Sequence, residues 1–178
     1  MLALLMATNA LANTKEFARL DLSLEQDGES LLLQGDIEFN FSKAALEALA
    51  NGLPLAVETQ VDIKPVGNWY WQSSLRSTTY KLEIQYHALS QHYLVKSIGD
   101  DYAHAYPTQL SALTALGNVD GLKLIDLSLL ESGQEYQVKV RSMLDSESLP
   151  VPLRPLIYLS DEWRLSSQWI SLDWPRPQ

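Results

Sequence analysis

Histidine and aspartate residues in the middle of the chain are the ones best suited to bind a metal ion. His87 and His92 flank four residues that fit a hairpin loop, so their imidazoles are expected to pair across adjacent strands. Asp100, Asp101 and His104 follow, and imidazole and carboxylate groups are ligands for zinc or copper. A solvated hairpin face explains the same residues without a metal. We therefore predict no metal site, with His87, His92 and His104 as weak candidates.

Asp161 and Glu162 are the carboxylates with the best context for glycosidase chemistry, because the ring of Trp163 beside them could stack on a sugar. A glycosidase also needs a carboxylate facing them across a cleft, and the sequence does not identify one. The Gly-x-Ser-x-Gly, His-Glu-x-x-His and Ser-x-x-Lys motifs of hydrolases are absent from the sequence, as are Gly-rich phosphate loops. We therefore expect neither an enzyme nor a cofactor.

Consecutive aromatic residues are the better indication of a binding function. Trp69, Tyr70 and Trp71 follow a strand-ending Pro65 and Gly67, and neighbouring side chains cannot all face one core. At least one of these rings should then be partly exposed, where it could anchor a protein interface or a ligand. The alternative is that Trp69 and Trp71 are buried and Tyr70 lies flat on the surface.

A proline-spaced segment supplies the remaining interface candidates. Pro150 and Pro152 stop both helix and central strand, so this stretch is predicted to be extended. It either presents a polyproline-II element to a partner or crosses the surface between two sheets. Trp163 lies a few residues beyond, and its ring either contacts a partner or, like those of Trp169 and Trp174, plugs the open end of a sandwich.

Period-2 alternation of apolar and polar residues dominates the chain and predicts strands with one buried face. The Asp27-Gly28 pair between the first two runs indicates a hairpin. Further strands are predicted from His92 to Ile98 and from Gln168 to Trp174. The buried positions expected in the other runs are Leu20, Leu22, Leu24; Leu31, Leu33, Ile37, Phe39, Phe41; Leu55, Val57, Val61, Ile63; Tyr80, Leu82, Ile84, Tyr86; Tyr136, Val138, Val140 and Leu144.

Two segments break this period and carry helix signals. Ser42 and Thr108 are N-cap residues for helices at about 43–51 and 108–116, which end at Asn51-Gly52 and Gly117-Asn118. The inward faces are predicted to be Leu46, Leu49 and Ala50 in the first helix and Leu110, Leu113 and Leu116 in the second. The fold class is therefore mainly β: an antiparallel β sandwich or curled sheet covered by two short helices.

Residues 1–12 contain no charged side chain and end in Ala10-Leu11-Ala12, a pattern that a signal peptidase accepts. We expect cleavage near Ala12, a single β-rich domain over 13–178, and a periplasmic or otherwise exported protein. Secretory peptides normally carry Lys or Arg before the apolar stretch, and here that charge is missing. The alternative is therefore that the segment from Met1 to Ala7 is a short buried helix or strand of the fold.

Composition excludes several further classes. Twenty-two acidic against 13 basic side chains give a net charge of −9, which disfavours nucleic acid and anionic lipid as partners. No cysteine is present, so disulfides, thiolate metal sites and cysteine nucleophiles are excluded together. No run is long and apolar enough for a membrane span.

A series of short segments spread over most of the chain is informative through its order and spacing. The segments are Phe39-Asn40-Phe41, Ser42, Ala45-Leu46, Leu49, Gly52-Leu53-Pro54-Leu55, Trp69-Tyr70-Trp71, Tyr80, Leu82, Tyr86, Tyr93-Leu94-Val95, Leu144-Asp145, Leu149-Pro150-Val151-Pro152 and Trp163-Arg164-Leu165-Ser166-Ser167-Gln168-Trp169. In this order and spacing the chain resembles a bacterial exported protein family, domain-of-unknown-function family 4390. The resemblance implies an envelope location, a β-rich fold and a gene that lies beside that of a membrane sensor kinase. It offers no catalytic residue.

These observations together favour a non-enzymatic envelope protein that binds an envelope or membrane protein, such as the outer part of a sensor kinase. The expected interface residues are Trp69, Tyr70, Trp71, Pro150, Pro152 and Trp163. The alternative is a module that holds a lipid or a sugar between its sheets. A hydrolase or a metal-binding protein comes third.

Overall fold

The computed structural model describes residues 16–67, 74–151, 154–155 and 160–175. Within these ranges the chain is mainly β, with two antiparallel sheets and two helices, so the predicted fold class is confirmed. The predicted signal segment, residues 1–12, lies outside the described residues. The strands are β1 (Ala18–Asp27), β2 (Ser30–Phe39), β3 (Leu55–Pro65), β4 (Arg76–His87), β5 (His92–Ser97), β6 (His104–Tyr106), β7 (Asn118–Asp126), β8 (Tyr136–Leu144) and β9 (Ile170–Trp174); the helices are α1 (Lys43–Ala50) and α2 (Gln109–Gly117).

The two sheets differ in width. The small sheet has the order β1-β2-β7, and the large sheet has the order β6-β5-β4-β3-β8-β9. Their inner faces share one cluster of buried side chains, with Leu31 and Leu33 from the small sheet and Val57, Ile84 and Val140 from the large one. Alternating apolar residues therefore meet across the sandwich, as period-2 strands require.

Both predicted hairpins are present. β1 pairs with β2 along its whole length, and Gly28 in the connecting turn has φ of +55°. β4 pairs with β5 through a four-residue loop that places His87 opposite His92. The buried row of β4 is thinner than predicted, however: Ile84 is fully buried, whereas Tyr80, Leu82 and Tyr86 are half-buried at the margin of the core.

Three phenylalanine rings close one end of the sandwich. The Phe17 ring lies 5.5 Å from that of Phe39 and 5.4 Å from that of Phe41, and the latter two are 5.8 Å apart. Tilted and edge-to-face contacts of this kind contribute about 0.5–1.5 kcal/mol per pair beyond simple burial. They tie the residue before β1 to the end of β2 and to Phe41, two residues before α1.

The helix caps are as predicted, and the buried faces are partly so: Leu49 and Leu116 are buried as predicted, whereas Leu46, Ala50 and Leu110 are not. The Ser42 hydroxyl accepts a hydrogen bond from the amide of Ala45 at 3.1 Å, and α1 then buries Ala45 and Leu49 while Ala50 is exposed. Ala45 and Leu49 are four residues apart and so lie on one face. Leu46, predicted to face inward, is only half-buried.

Helix α2 shows the larger departure. The Thr108 hydroxyl accepts from the amide of Ser111 at 3.1 Å, but Leu110, predicted to face inward, is 76% exposed. The buried residues are Ala112, Leu116 and Gly117. A Cβ atom on Gly117 would overlap the carbonyl oxygen of Ile37 in β2. The helix therefore approaches β2 closely at Gly117. Its buried face is centred on Ala112 and Leu116, which are four residues apart, and Leu110, two residues from Ala112, lies off that face.

Strand β7 was not predicted, because its side-chain alternation is broken twice. Leu33 of β2 pairs with Leu122 of β7, but Gly35, two residues on, pairs with Val119, three residues away, so β7 contains one extra residue there. A second extra residue of β7 lies between the partners of Leu31 and Leu32. Gly121 in the first bulge has φ of +63°, a conformation that favours glycine. β6 is an edge strand of three residues, too short to show an alternation of apolar and polar side chains, and it was not predicted either.

The last strand is shorter than predicted. β9 begins at Ile170, two residues after the expected start at Gln168. Before it, the Ser167 amide donates to the carbonyl of Ser142 at 2.8 Å, and Ser166 forms an isolated bridge with Met143. This irregular pairing of the chain to β8 delays the regular ladder. Among the described helices none is long and apolar enough to cross a membrane.

Gly117→Ala is expected to destabilise the fold by about 1–3 kcal/mol, because the added methyl group forces α2 away from β2. Urea unfolding followed by circular dichroism measures the effect. Thr114→Ala, an exposed position on the same helix, should leave the free energy of unfolding within about 0.5 kcal/mol of the parent value. Equal stabilities of the two variants would contradict the close packing of α2 on β2.

Candidate functional site

The histidine pair of the β4–β5 hairpin is engaged by its own loop. His92 Nδ1 lies 2.6 Å from the carbonyl oxygen of Ser90 and donates to it. The Ser90 amide donates to His87 Nδ1 at 3.3 Å, and the Ser90 hydroxyl lies 3.0 Å from the same nitrogen. These contacts give both imidazoles a role in shaping the turn.

The third histidine lies on the other side of the sheet. His104 is opposite Val95 on β5, whereas His92 is three residues away along that strand, and an odd separation places their side chains on opposite faces. Asp100 and Asp101 lie in the exposed loop before β6. Within the described ranges no group of three or more His, Asp or Glu side chains is arranged to hold a metal ion. The weak metal candidates are therefore not brought together.

The glycosidase candidates lack their stacking surface. Trp163 is 8% exposed and belongs to the core cluster, so its ring is unavailable to a sugar or to a protein partner at this surface. This position favours the core interpretation of Trp163. Asp161 and Glu162 are exposed, and Asp161 lies 3.5 Å from the guanidinium of Arg164.

The other interface candidates are divided between described and undescribed residues. Trp69, Tyr70, Trp71 and Pro152 lie outside the described residues, while Pro150 is exposed. The segment around Pro150 folds back on itself: the Arg154 guanidinium donates to the carbonyls of Leu149 at 3.0 Å and Glu147 at 2.8 Å. Leu149 is buried, with φ of −67° and ψ of 143°. Leu149 thus has the backbone conformation of a polyproline-II helix, and its buried side chain anchors it beside the turn that Arg154 closes.

An unpaired strand edge is the first surface that could recognise a partner. β1 has ten residues, pairs with β2 on one side, and has no neighbour on the other among the described strands. Its register with β2 is continuous from Ala18 to Asp27, without a bulge. Alternate backbone N–H and C=O groups therefore point away from the sheet. We call this surface the β1 edge.

The outer surface of the small sheet is acidic. Asp21 and Asp36 are directly opposite each other on β1 and β2, although like charges in such pairs are unfavourable. The amide of Asn118 donates to Asp36 at 3.4 Å. Lys123, a cation on this surface, is paired with Asp126 at 2.6 Å. We define the acidic face as the exposed carboxylates of this surface: Asp21, Glu25, Asp27, Asp36 and Glu38.

A cavity of about 340 Å³ separates the bulged strand β7 from β4 and β5. Tyr80 of β4 spans the gap, and its hydroxyl donates to the carbonyl of Lys123 at 3.0 Å. Burial raises the pKa of this phenol above its ordinary value, partly offset by the nearby Arg76 charge. We call this cavity the inter-sheet cleft; its apolar lining is Leu33, Ile37, Val57, Leu82, Leu116, Val119 and Leu122, and its polar lining includes Thr59, Lys81, Ser97, Asn118 and Asp120.

Lys81, at the margin of the inter-sheet cleft, is held between two carboxylates. Its ammonium lies 2.8 Å from Asp145 and 3.2 Å from Glu58. The hydrogen bond to Asp145 and, more weakly, that to Glu58 raise the pKa of Lys81, while partial burial opposes them. Asp145 is 8% exposed, so the ion pair satisfies a carboxylate that would otherwise be buried without a cation.

The β1 edge was not predicted. A ligand held between the sheets was the alternative function, but the residues that form the inter-sheet cleft were not predicted. The cleft depends on β7, which sequence alternation missed, and on the order of strands, which short-range patterns do not encode. The Asp120-Gly121 pair was a turn-like signal that could have marked the bulge. Alternation predicted one solvent-exposed side for β1 and β2 but did not join their carboxylates into one acidic face.

Comparison with known proteins gives a single match. The model of a family described as "Domain of unknown function (DUF4390)" matches residues 15–173. No curated protein and no solved structure matches the chain.

The Lys81 ion pairs should make stability fall in alkaline solution. A raised pKa means that the stabilisation is complete below the ordinary lysine value of 10.5 and is lost as pH rises through the higher value of the folded state. Lys81→Arg stays charged throughout this range and should lose less stability between pH 9 and pH 11. Urea unfolding at several pH values compares the two, with Lys43→Arg at an exposed site as control. Parallel curves for the parent and Lys81→Arg would contradict the role of this pair.

Proposed function

This chain belongs to the DUF4390 family, and we propose that it is a non-enzymatic protein-interaction module of the cell envelope that binds an extended segment of another protein along the β1 edge. The family description assigns no activity, so the proposal rests on the surfaces of the chain itself. The unpaired edge of β1 is the observation that carries it.

Strand addition is the binding mode that such an edge supports. An extended peptide that pairs with a sheet edge gains main-chain hydrogen bonds, and alternate side chains supply specificity. Proteins often protect exposed edges with prolines, bulges or very short strands. β1 is ten residues long and contains neither a proline nor a bulge. Among the described residues no strand pairs with its outward backbone groups.

The acidic face selects the charge of the partner. A strand added next to β1 would place every second side chain beside Asp21 and Glu25, on the same surface as the unfavourable Asp21–Asp36 pair. A lysine or arginine there would relieve the repulsion and form new ion pairs. The segment that fits is therefore basic and extended, and the net charge of −9 would favour its approach over long distances.

The cellular partner we propose is the extracytoplasmic part of a membrane protein, with a sensor kinase as the class that the family resemblance suggests. Trp69, Tyr70 and Trp71 remain predicted contacts of the same interaction, although they lie outside the described residues. Trp163 is removed from the interface because it is buried.

Site-specific photo-crosslinking in cells should distinguish the β1 edge from the rest of the surface. A photoreactive residue at Ser23, which is exposed on β1, is expected to capture a discrete protein, because a strand added to β1 would lie within its reach. The matched control is the same residue at Ser132, exposed in the loop before β8.

The charge requirement is tested in the same cells. Combined Asp21→Lys and Asp36→Lys substitutions should abolish the crosslink from Ser23 without unfolding the protein, since both side chains are exposed. Identical captured proteins from Ser23 and Ser132, or an unchanged product after charge reversal, would refute strand addition by a basic segment.

The proposed export predicts that the mature chain begins at Asn13. Intact-mass and amino-terminal peptide analysis of protein from the envelope fraction should find this terminus and no peptide containing residues 1–12. Ala12→Lys, which breaks the small-residue cleavage pattern, should retain the uncleaved form. Mature protein that still carries residues 1–12 and is recovered from the cytoplasm would contradict export.

A further inference from the structure

We propose that the inter-sheet cleft is a binding site for a small cationic amphiphile, whose apolar chain enters between the sheets while its amine lies at the polar mouth. This inference is independent of partner binding at the β1 edge. β1 and β7 are the two opposite edges of the small sheet, so the two surfaces do not overlap.

The cleft exists because β7 is bulged. The extra residue at Asp120-Gly121 breaks the regular ladder with β2, and bulges both bend a strand and increase its twist. Tyr80 bridges β4 and β7 through its hydrogen bond to Lys123, which fixes the separation of the two strands. Bulges are frequent beside binding sites, where they redirect the chain. The gap is thus a built feature of the backbone.

The lining of the cleft suits an apolar chain. Leu33 and Leu122 come from the small sheet, Val57 and Leu82 from the large sheet, and Leu116 from α2. A volume of about 340 Å³ lies at the lower end of the roughly 300–1,000 Å³ typical of small-molecule sites. The ligand is therefore short, on the scale of an octyl chain rather than a phospholipid.

Charges around the mouth select the head group. Asp120 borders the cleft, and Asp100 and Asp101 line an adjoining depression that shares Leu82, Ser97 and Asn118 with it. Two lysines lie nearby, but Lys81 is held by Asp145 and Glu58, and Lys96 lies 3.3 Å from Glu83. Arg76, whose charge acts on Tyr80, is a further cation near the cleft, and Asp126 offsets the charge of either Arg76 or Lys123. Counted with Asp120, Asp100 and Asp101, the charge around the mouth is still net negative. An ammonium group is attracted to this mouth, and a carboxylate or phosphate is repelled.

Calorimetric titration of the full chain with octylamine, octanol and octanoate, each below its micellar concentration, tests the inference. Octylamine should bind most tightly, octanol more weakly and octanoate least. Asp120→Asn should weaken octylamine binding about two- to fivefold and leave octanol binding unchanged, as expected for one exposed charge. Asp27→Asn, at an exposed position of the acidic face at the end of β1, removes the same charge and should change neither. Octanoate binding as tight as octylamine binding, or equal effects of the two substitutions, would overturn the proposal.

The location of the apolar chain is tested separately. Intermolecular nuclear Overhauser effects should connect the octyl chain with the methyl groups of Val119 and Leu122, and not with exposed Leu129. Leu122→Trp should fill the cleft and abolish binding, whereas Leu129→Trp should retain it, with folding of both variants checked by circular dichroism. The Overhauser contacts, measured on the parent protein, locate the octyl chain even if Leu122→Trp disturbs the fold. Contacts to Leu129 alone would place the ligand elsewhere and refute the proposed site.

Discussion

The unequal width of the two sheets is the constraint on which the rest of the molecule depends. Three strands spaced about 4.8 Å apart cannot cover six, so the small sheet shields only part of the inner face of the large one. Contacts from β1 to β8 and β9, and from Tyr80 to β7, show which part that is. Helix α2 covers β4, β5 and β6, and its close approach at Gly117 joins it to β2. Because β1 lies over β8 and β9, the margin that the small sheet leaves uncovered is at the inter-sheet cleft, while the β1 edge is the border of the small sheet that no described strand pairs with.

Charge is distributed according to the same division. On the outer face of the large sheet, cations and carboxylates are matched, as in Lys81 with Asp145 and Lys96 with Glu83. On the small sheet, Asp21 and Asp36 face each other, and the exposed carboxylates of the acidic face outnumber the two cations of that surface, Arg19 opposite Glu38 and Lys123. A matched surface contributes to stability and solubility, whereas an unmatched one favours association with a cationic partner. This contrast is the reason that the proposed interactions involve the small sheet.

Local sequence signals predicted the elements that depend on local physics. Ser42 and Thr108 cap helices where their side chains can reach amides three residues later, and Gly28 ends a hairpin whose register follows from simple alternation. Prediction failed where a distant contact decides the outcome. Helix α2 buries Ala112 and Leu116 rather than Leu110, because its orientation is set by packing on β2, where Gly117 meets Ile37, about 80 residues away in sequence. β7 was missed because two bulges interrupt its alternation. The β1 edge was inaccessible to sequence reasoning for a related reason, since no local pattern states which strand lacks a neighbour. Trp163 showed the same limit, because both of its interpretations were compatible with the residues around it.

Amide hydrogen exchange of the free protein, resolved for individual residues of β1 and β2, tests the central claim that β1 has an open edge. The account predicts alternation along β1, with slow exchange at amides that bond to β2 and fast exchange at those between them. The segment of β2 from Ser30 to Asp36 should be protected more evenly, because it has neighbours on both sides. Uniform slow exchange along β1 would mean that its outer edge is already occupied. That result would contradict both the proposed strand addition and the division of the molecule into covered and uncovered margins.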